Sequence, residues 1–175
     1  KKLKIKPGMA YNSLLEEEIE KILKMKKTRQ AAMRYLAIKD ISKKKLSEKL
    51  ASKGFYFSEE ISEELADDGW ICDQRVAETI SSKGNTKNHS KSKILQALKD
   101  EGIDEHLATK AIAITLGDLT EKDRLRKYVT EEIQKYTNHP KNKIMRKLFS
   151  KLALRGWNEQ EILNIFYEIG LELEE

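Results

Sequence analysis

One pattern, carried three times, constrains this chain more than any other feature. The segments SKKKLSEKLASKGFYFSEEISEEL, SKSKILQALKDEGIDEHLATKAI and KNKIMRKLFSKLALRGWNEQEILNIF each set two apolar residues eight and four positions before a glycine, with another apolar residue directly after it. These are Leu46, Leu50, Gly54 and Phe55; Ile94, Leu98, Gly102 and Ile103; and Leu148, Leu152, Gly156 and Trp157. A spacing of four places each pair on one helix face. The glycine then ends the helix in a left-handed conformation without a Cβ penalty, and the next hydrophobe folds back onto the last turn. A second helix follows, with Ile61 and Leu65, Leu107 and Ile112, and Ile162 and Phe166 as its apolar positions. Ser58, Asp104 and Asn158 are placed to cap it, and Asn158 has Glu161 three residues on for a capping box.

Glycine separations of 48 and 54 residues leave room for one further helix before each pair, which residues 28–39, 73–83 and 120–137 can supply. The expected fold is all-α: three tandem three-helix, helix-turn-helix-like repeats at 28–69, 70–117 and 118–175, forming an elongated array. Composition agrees. Eight glycines and two prolines in 175 residues, with 36% charged and 7% aromatic, suit helices better than a sandwich or barrel. Ahead of the repeats, Leu3 and Ile5 alternate with lysines before Pro7-Gly8, reading as a strand end, and Ser13-Leu14-Leu15-Glu16 opens a helix expected to run to about Lys27. A strand without a partner, in a chain that begins KKLKIKPGM, makes residues 1–27 the link to a missing N-terminal domain.

Several functions are excluded. No apolar run approaches the roughly 18 residues that cross a bilayer. The single cysteine, Cys72, cannot form an internal disulfide, and a reducing cytoplasm fits it. His89, His106 and His139 lie far apart without a second ligand at metal spacing, so no metal or other cofactor is expected. Glycine-rich phosphate loops, GxSxG and HExxH are absent, and paired acids such as Asp67-Asp68 sit within acidic helices. The chain does not read as an enzyme.

Charge repeats along with the helices. Residues 39–53, 81–99 and 141–155 sum to +4, +5 and +6, the last two without any acid. The helix after each reverses the sign: residues 58–68 hold six carboxylates and no base, Asp100, Glu101, Asp104 and Glu105 cluster in the second repeat, and Glu159, Glu161, Glu168, Glu172, Glu174 and Glu175 follow in the third. Solvated faces attracting one another would explain one such unit. The same order three times favours a shared binding face for a long polyanion or filament. The candidate contacts are Lys43, Lys44, Lys45 and Lys49; Lys87, Lys91 and Lys93; and Lys141, Lys143, Arg146 and Lys147. Lysines supply phosphate contacts rather than base readout, so single- or double-stranded DNA would be bound with low sequence specificity. Lys43, Lys44 and Lys45 crowd a first helical turn, where the dipole disfavours cations. Trp157 sits at the position of Phe55 and Ile103 and belongs to the core. Trp70 and Tyr56 could pack or stack on a base, and packing is the favoured reading.

The runs RYLAIKDISKKKLSEKLASKGF and ISEELADDGWICDQRVAETI resemble the RecX family of regulatory proteins. Asp73, Arg75 and Ala77 match that family's entry into its second repeat, with Val76 where phenylalanine is usual, and all three glycine-centred pairs match. The resemblance spans residues 28–171, and KIKPGMAYNSLLEEEIEKI resembles the link to the extra N-terminal domain of longer members. It implies a cytoplasmic, monomeric modulator of the RecA recombinase that lodges in the RecA–DNA filament and inhibits ATP hydrolysis, filament extension and strand exchange. Asp73 and Arg75 are expected to act structurally, as an ion pair between the first two repeats. A helix-turn-helix transcription regulator is the competing reading, against which the acidic third helices would be repelled by the major groove. A purely structural scaffold is the third.

Overall fold

The apolar stripes recur near 3.6 residues, most of them bounded by a cap or a glycine, and among the described residues every regular element is helical. The computed structural model describes residues 13–136 and 140–171. Its helices are α1 (Ser13–Leu36), α2 (Lys43–Ser52), α3 (Ser58–Asp67), α4 (Asp73–Thr86), α5 (Lys91–Asp100), α6 (Glu105–Leu116), α7 (Glu121–Ile133), α8 (Lys141–Leu154) and α9 (Glu159–Glu168), with a 3-10 turn at Gln134–Tyr136. The all-α class is the one expected. The strand end at residues 1–6, the Pro7-Gly8 turn, His139, Glu172, Glu174 and Glu175 lie outside the described residues.

The chain divides into two compact units, Lys1–Cys72 and Asp73–Glu175. In the first, the helix opened at Ser13 does not stop near Lys27. It continues as α1 to Leu36, so the two helices expected on either side of residue 28 are one. No glycine or proline interrupts this stretch, and Thr28, fully buried, turns its hydroxyl to the Tyr56 carbonyl at 2.7 Å rather than capping a new helix. Ala31 and Ala32 of α1 close on Leu46 and Leu50 of α2 and Ile61 and Leu65 of α3. Arg29 ties α1 to α3 through Glu64 and Asp68, both at 2.8 Å. Ser58 is the first residue of α3 and not its cap. Phe57 holds the cap position with φ 58° and no side-chain cap bond. Two aromatics, Tyr56 and Phe57, stand where the later repeats have the single residue Asp104 or Asn158, and Phe57 reaches the corner of the core instead.

The second unit holds two cores. Val76, Ala77, Ile94, Leu98, Ile103 and Ile112 pack among α4, α5 and α6, with Ala108 fully buried and Leu107 at the edge. Gly84 lets α4 and α5 touch, since a Cβ there would sit 2.6 Å from Ile94 Cγ1. Leu125, Val129, Leu148, Leu152, Trp157, Ile162 and Phe166 form the core of α7, α8 and α9. The helix-ending glycines behave as expected. Gly54, Gly102 and Gly156 have φ of 77°, 80° and 83°, and the N–H groups of Phe55, Ile103 and Trp157 donate to the carbonyls of Leu50, Leu98 and Leu152 at 3.0–3.2 Å.

A polar joint connects the two bundles of this unit at the turn between α4 and α5. Ser90 donates its N–H to the Arg155 carbonyl (3.0 Å) and its hydroxyl to the Gly156 carbonyl (2.6 Å). Trp157 Nε1 donates to the Asn88 carbonyl at 3.0 Å. Arg124, buried on α7, donates to the His89 carbonyl (3.0 Å) and Asn85 Oδ1 (3.3 Å), with Glu121 at 3.4 Å. Glu121 also accepts from the Lys91 N–H at 2.7 Å. Burial lowers the Arg124 pKa and Glu121 opposes that effect. These bonds explain how a guanidinium persists inside the joint.

Candidate functional site

The candidate contacts lie on α2, α5 and α8 and in the turn leading into α5. Ser42 and Ser90, both buried, cap α2 and α5 by accepting from the N–H groups of Lys45 (3.0 Å) and Lys93 (3.2 Å). Pro140 stands at the cap of α8 without a side-chain bond. First turns therefore begin with lysines against the positive end of the helix dipole: Lys43, Lys44 and Lys45; Lys91 and Lys93; Lys141 and Lys143. Each such placement costs tenths of a kcal/mol and concentrates positive potential at the helix end.

Superimposing the repeats by their apolar pairs shows which positions recur. Lys45, Lys93 and Lys147 occupy one register position in all three, and Lys44 and Arg146 share the neighbouring one, where α5 has Ser92. Local partners differ. Lys43 pairs with Glu63 at 3.0 Å and Lys45 with Glu48 at 3.6 Å, while Lys49 lies over the Tyr35 ring at 4.1 Å. Lys147 lies 5.4 Å over Tyr136. Lys93 donates its ammonium to the Leu154 carbonyl and so helps to join the two bundles of the second unit. Lys44, Lys87, Lys91, Lys141, Lys143 and Arg146 are exposed. Asp73 is the first residue of α4, a position where the helix dipole favours a carboxylate, and Arg75 is exposed two residues on.

The acidic helices do part of their work inside their own units. Glu63, Glu64 and Asp68 of α3 meet Lys43 and Arg29, and Glu168 of α9 meets Lys122 and Arg126 of α7. The hydrogen bond with Asp68 is the main reason that Arg29 is held above its ordinary range. Hydrogen bonds from Lys122 and Arg126 hold the Glu168 carboxyl below the usual glutamate range. Attraction between neighbouring helices therefore accounts for part of the charge alternation, and the basic middle helices keep the surplus.

Among the aromatics, Trp157 is buried as expected. Tyr56 and Trp70 are 62% and 53% exposed, which corrects the expectation that they pack. Tyr56 follows the helix-ending Gly54 and Phe55 and points outward with Lys24 Nζ 4.7 Å over its ring. Sequence reading missed Arg124, Ser90 and Glu132 as structural polar groups. Arg124 had a signal: it lies four residues before Tyr128, on the buried stripe of α7. Among the described residues, no three His, Cys, Asp or Glu side chains converge as a metal site would require.

No protein-family model and no curated protein matches the sequence. Solved structures do match the fold. The crystal structure of RecX from Lactobacillus salivarius aligns at 23% identity with a TM-score of 0.62, over 85% of this chain and 98% of that one. A crystal structure of a regulatory protein RecX aligns at 19% identity with a TM-score of 0.71, over 97% and 84%. The chain has the fold of those proteins.

Proposed function

We propose that this chain is a RecX-type regulator: a non-enzymatic, cytoplasmic monomer that binds the RecA–DNA filament and restrains its ATP hydrolysis, extension and strand exchange. The observation that carries the reading is the shared fold, which takes in 98% of one RecX crystal structure and, against the other, 97% of this chain. The recurring cations of α2, α5 and α8 support it, because a repeat protein with basic helices at one register suits a ligand that is itself periodic. In this mechanism Lys44, Lys91, Lys141, Lys143 and Arg146 meet DNA phosphate or acidic filament surface. Lys43, Lys45, Lys49, Lys93 and Lys147, engaged by Glu63, Glu48, the Tyr35 ring, the Leu154 carbonyl and the Tyr136 ring, add to the potential that steers association.

Charge reversal of one middle helix tests the reading. Changing Lys43, Lys44, Lys45 and Lys49 together to glutamate weakens inhibition of RecA ATPase on single-stranded DNA. It also flattens the dependence of log affinity on log salt, by about 0.7–0.9 for each phosphate that is no longer neutralised. Inhibition retained with an unchanged salt slope contradicts the assignment of α2. Sequence-specific duplex binding by the chain alone favours a transcription regulator instead.

A further inference from the structure

The three repeats are internal controls for one another, and one groove differs among them. Between α8 and α9 an open groove of about 410 Å³ is lined by Met145, Arg146, Phe149, Ser150, Leu163 and Phe166. The register positions of Met145, Phe149 and Leu163 are held in the first repeat by Lys43, Ser47 and Ser62. There the Lys43–Glu63 ion pair, at 3.0 Å, crosses from α2 to α3. In the second repeat the same positions are Lys91, Leu95 and Thr109. Only the third repeat is apolar at all three, and it has Asn164 where Glu63 would complete the ion pair. Leu163 remains 41% exposed.

We propose that the α8–α9 groove docks an acidic amphipathic helix of a protein partner. Its volume falls in the range of ligand pockets, roughly 300–1,000 Å³, and its apolar floor suits side chains spaced at i, i+4 and i+7. Charge names the partner's chemistry. The charged side chain of the lining is the Arg146 guanidinium, a donor only, beside the Ser150 hydroxyl, and the exposed Lys141, Lys143 and Lys147 lie on the same helix. A helix with an acidic flank toward α8 meets that charge while its apolar face covers Met145, Phe149 and Leu163. The inference rests on the proposed function only for the identity of the partner, a filament protein, and adds a protein contact to the phosphate contacts.

The test uses the full chain, isotope-labelled, titrated with a synthetic helix bearing leucines at i, i+4 and i+7 between glutamates, and with a twin bearing lysines instead. The acidic peptide shifts the resonances of Met145, Phe149 and Leu163, and the twin binds about tenfold more weakly or worse. Met145→Lys with Asn164→Glu transplants the ion pair of the first repeat across the groove, and Phe149→Ser with Leu163→Ser restores that repeat's small polar residues. Each pair lowers peptide affinity about tenfold or more at unchanged helical circular dichroism. Shifts outside the groove, equal binding of the twin, unchanged affinity in the ion-pair variant, or tighter binding of a medium-chain fatty acid overturn the proposal. Peptide docking in a chain that ignores RecA filaments overturns the regulatory reading and leaves the groove standing.

Discussion

Gly156 is held by two constraints that can be separated. Its backbone is left-handed, as is that of Gly54. A Cβ on Gly54 meets nothing within 4 Å, whereas one on Gly156 falls 2.7 Å from Lys93 Cβ and 2.9 Å from Ser90 Oγ. Gly54→Ala should therefore cost only the left-handed strain, about 1–2 kcal/mol. Gly156→Ala adds overpacking of about 1–3 kcal/mol and pushes the two bundles of the second unit apart. Urea melts compare the two directly, and equal losses would mean that the joint does not depend on that close approach. Trp157→Phe probes the same joint from the other side, keeping most of the ring but removing the donor to the Asn88 carbonyl. It should cost about 1–3 kcal/mol by the same melts, and no loss would show that the bond contributes nothing net.

Between elements, α7 and α8 are tied by Glu132. Its buried carboxylate accepts from Lys151 and from Lys135, the latter at 3.0 Å. Burial resists its ionisation, but the two ammonium donors outweigh burial and hold the carboxyl below the ordinary glutamate range. A carboxyl depressed in the folded state stabilises above its unfolded pKa, and that contribution fades as pH falls through the folded value. Glu132→Gln should lower stability at neutral pH by about 1 kcal/mol, both lysines being partly solvated. The gap from wild type should close in acid, and thermal melts that stay separated by the same margin at low pH would contradict this. Glu132 was not legible in the sequence, where a helix reading EEI gives no hint which acid turns inward. The helix-ending glycines and apolar pairs were legible, because their spacing follows from local geometry alone. The continuity of α1 was not, since a threonine that looks like a cap becomes a buried bridge to Tyr56 only through tertiary contact. Tyr56 and Phe57 misled for a related reason: one residue more in that corner replaced a polar cap with an aromatic one.

For the molecule as a whole, the fold and the basic middle helices were readable from repetition. The division of labour among their cations was not. Lys93 shares its register position with Lys45 and Lys147, yet it binds the Leu154 carbonyl, because the end of α8 packs against the start of α5 within the second unit. The sum of charge along a segment names a candidate face, and the neighbours in space decide which members of it reach solvent. The most direct measurement of the central claim is RecA ATP hydrolysis on single-stranded DNA, titrated with the wild-type chain at several salt concentrations. Inhibition that saturates and weakens steadily with added salt is the expected result. An ATPase rate indifferent to the chain at every salt concentration would contradict it.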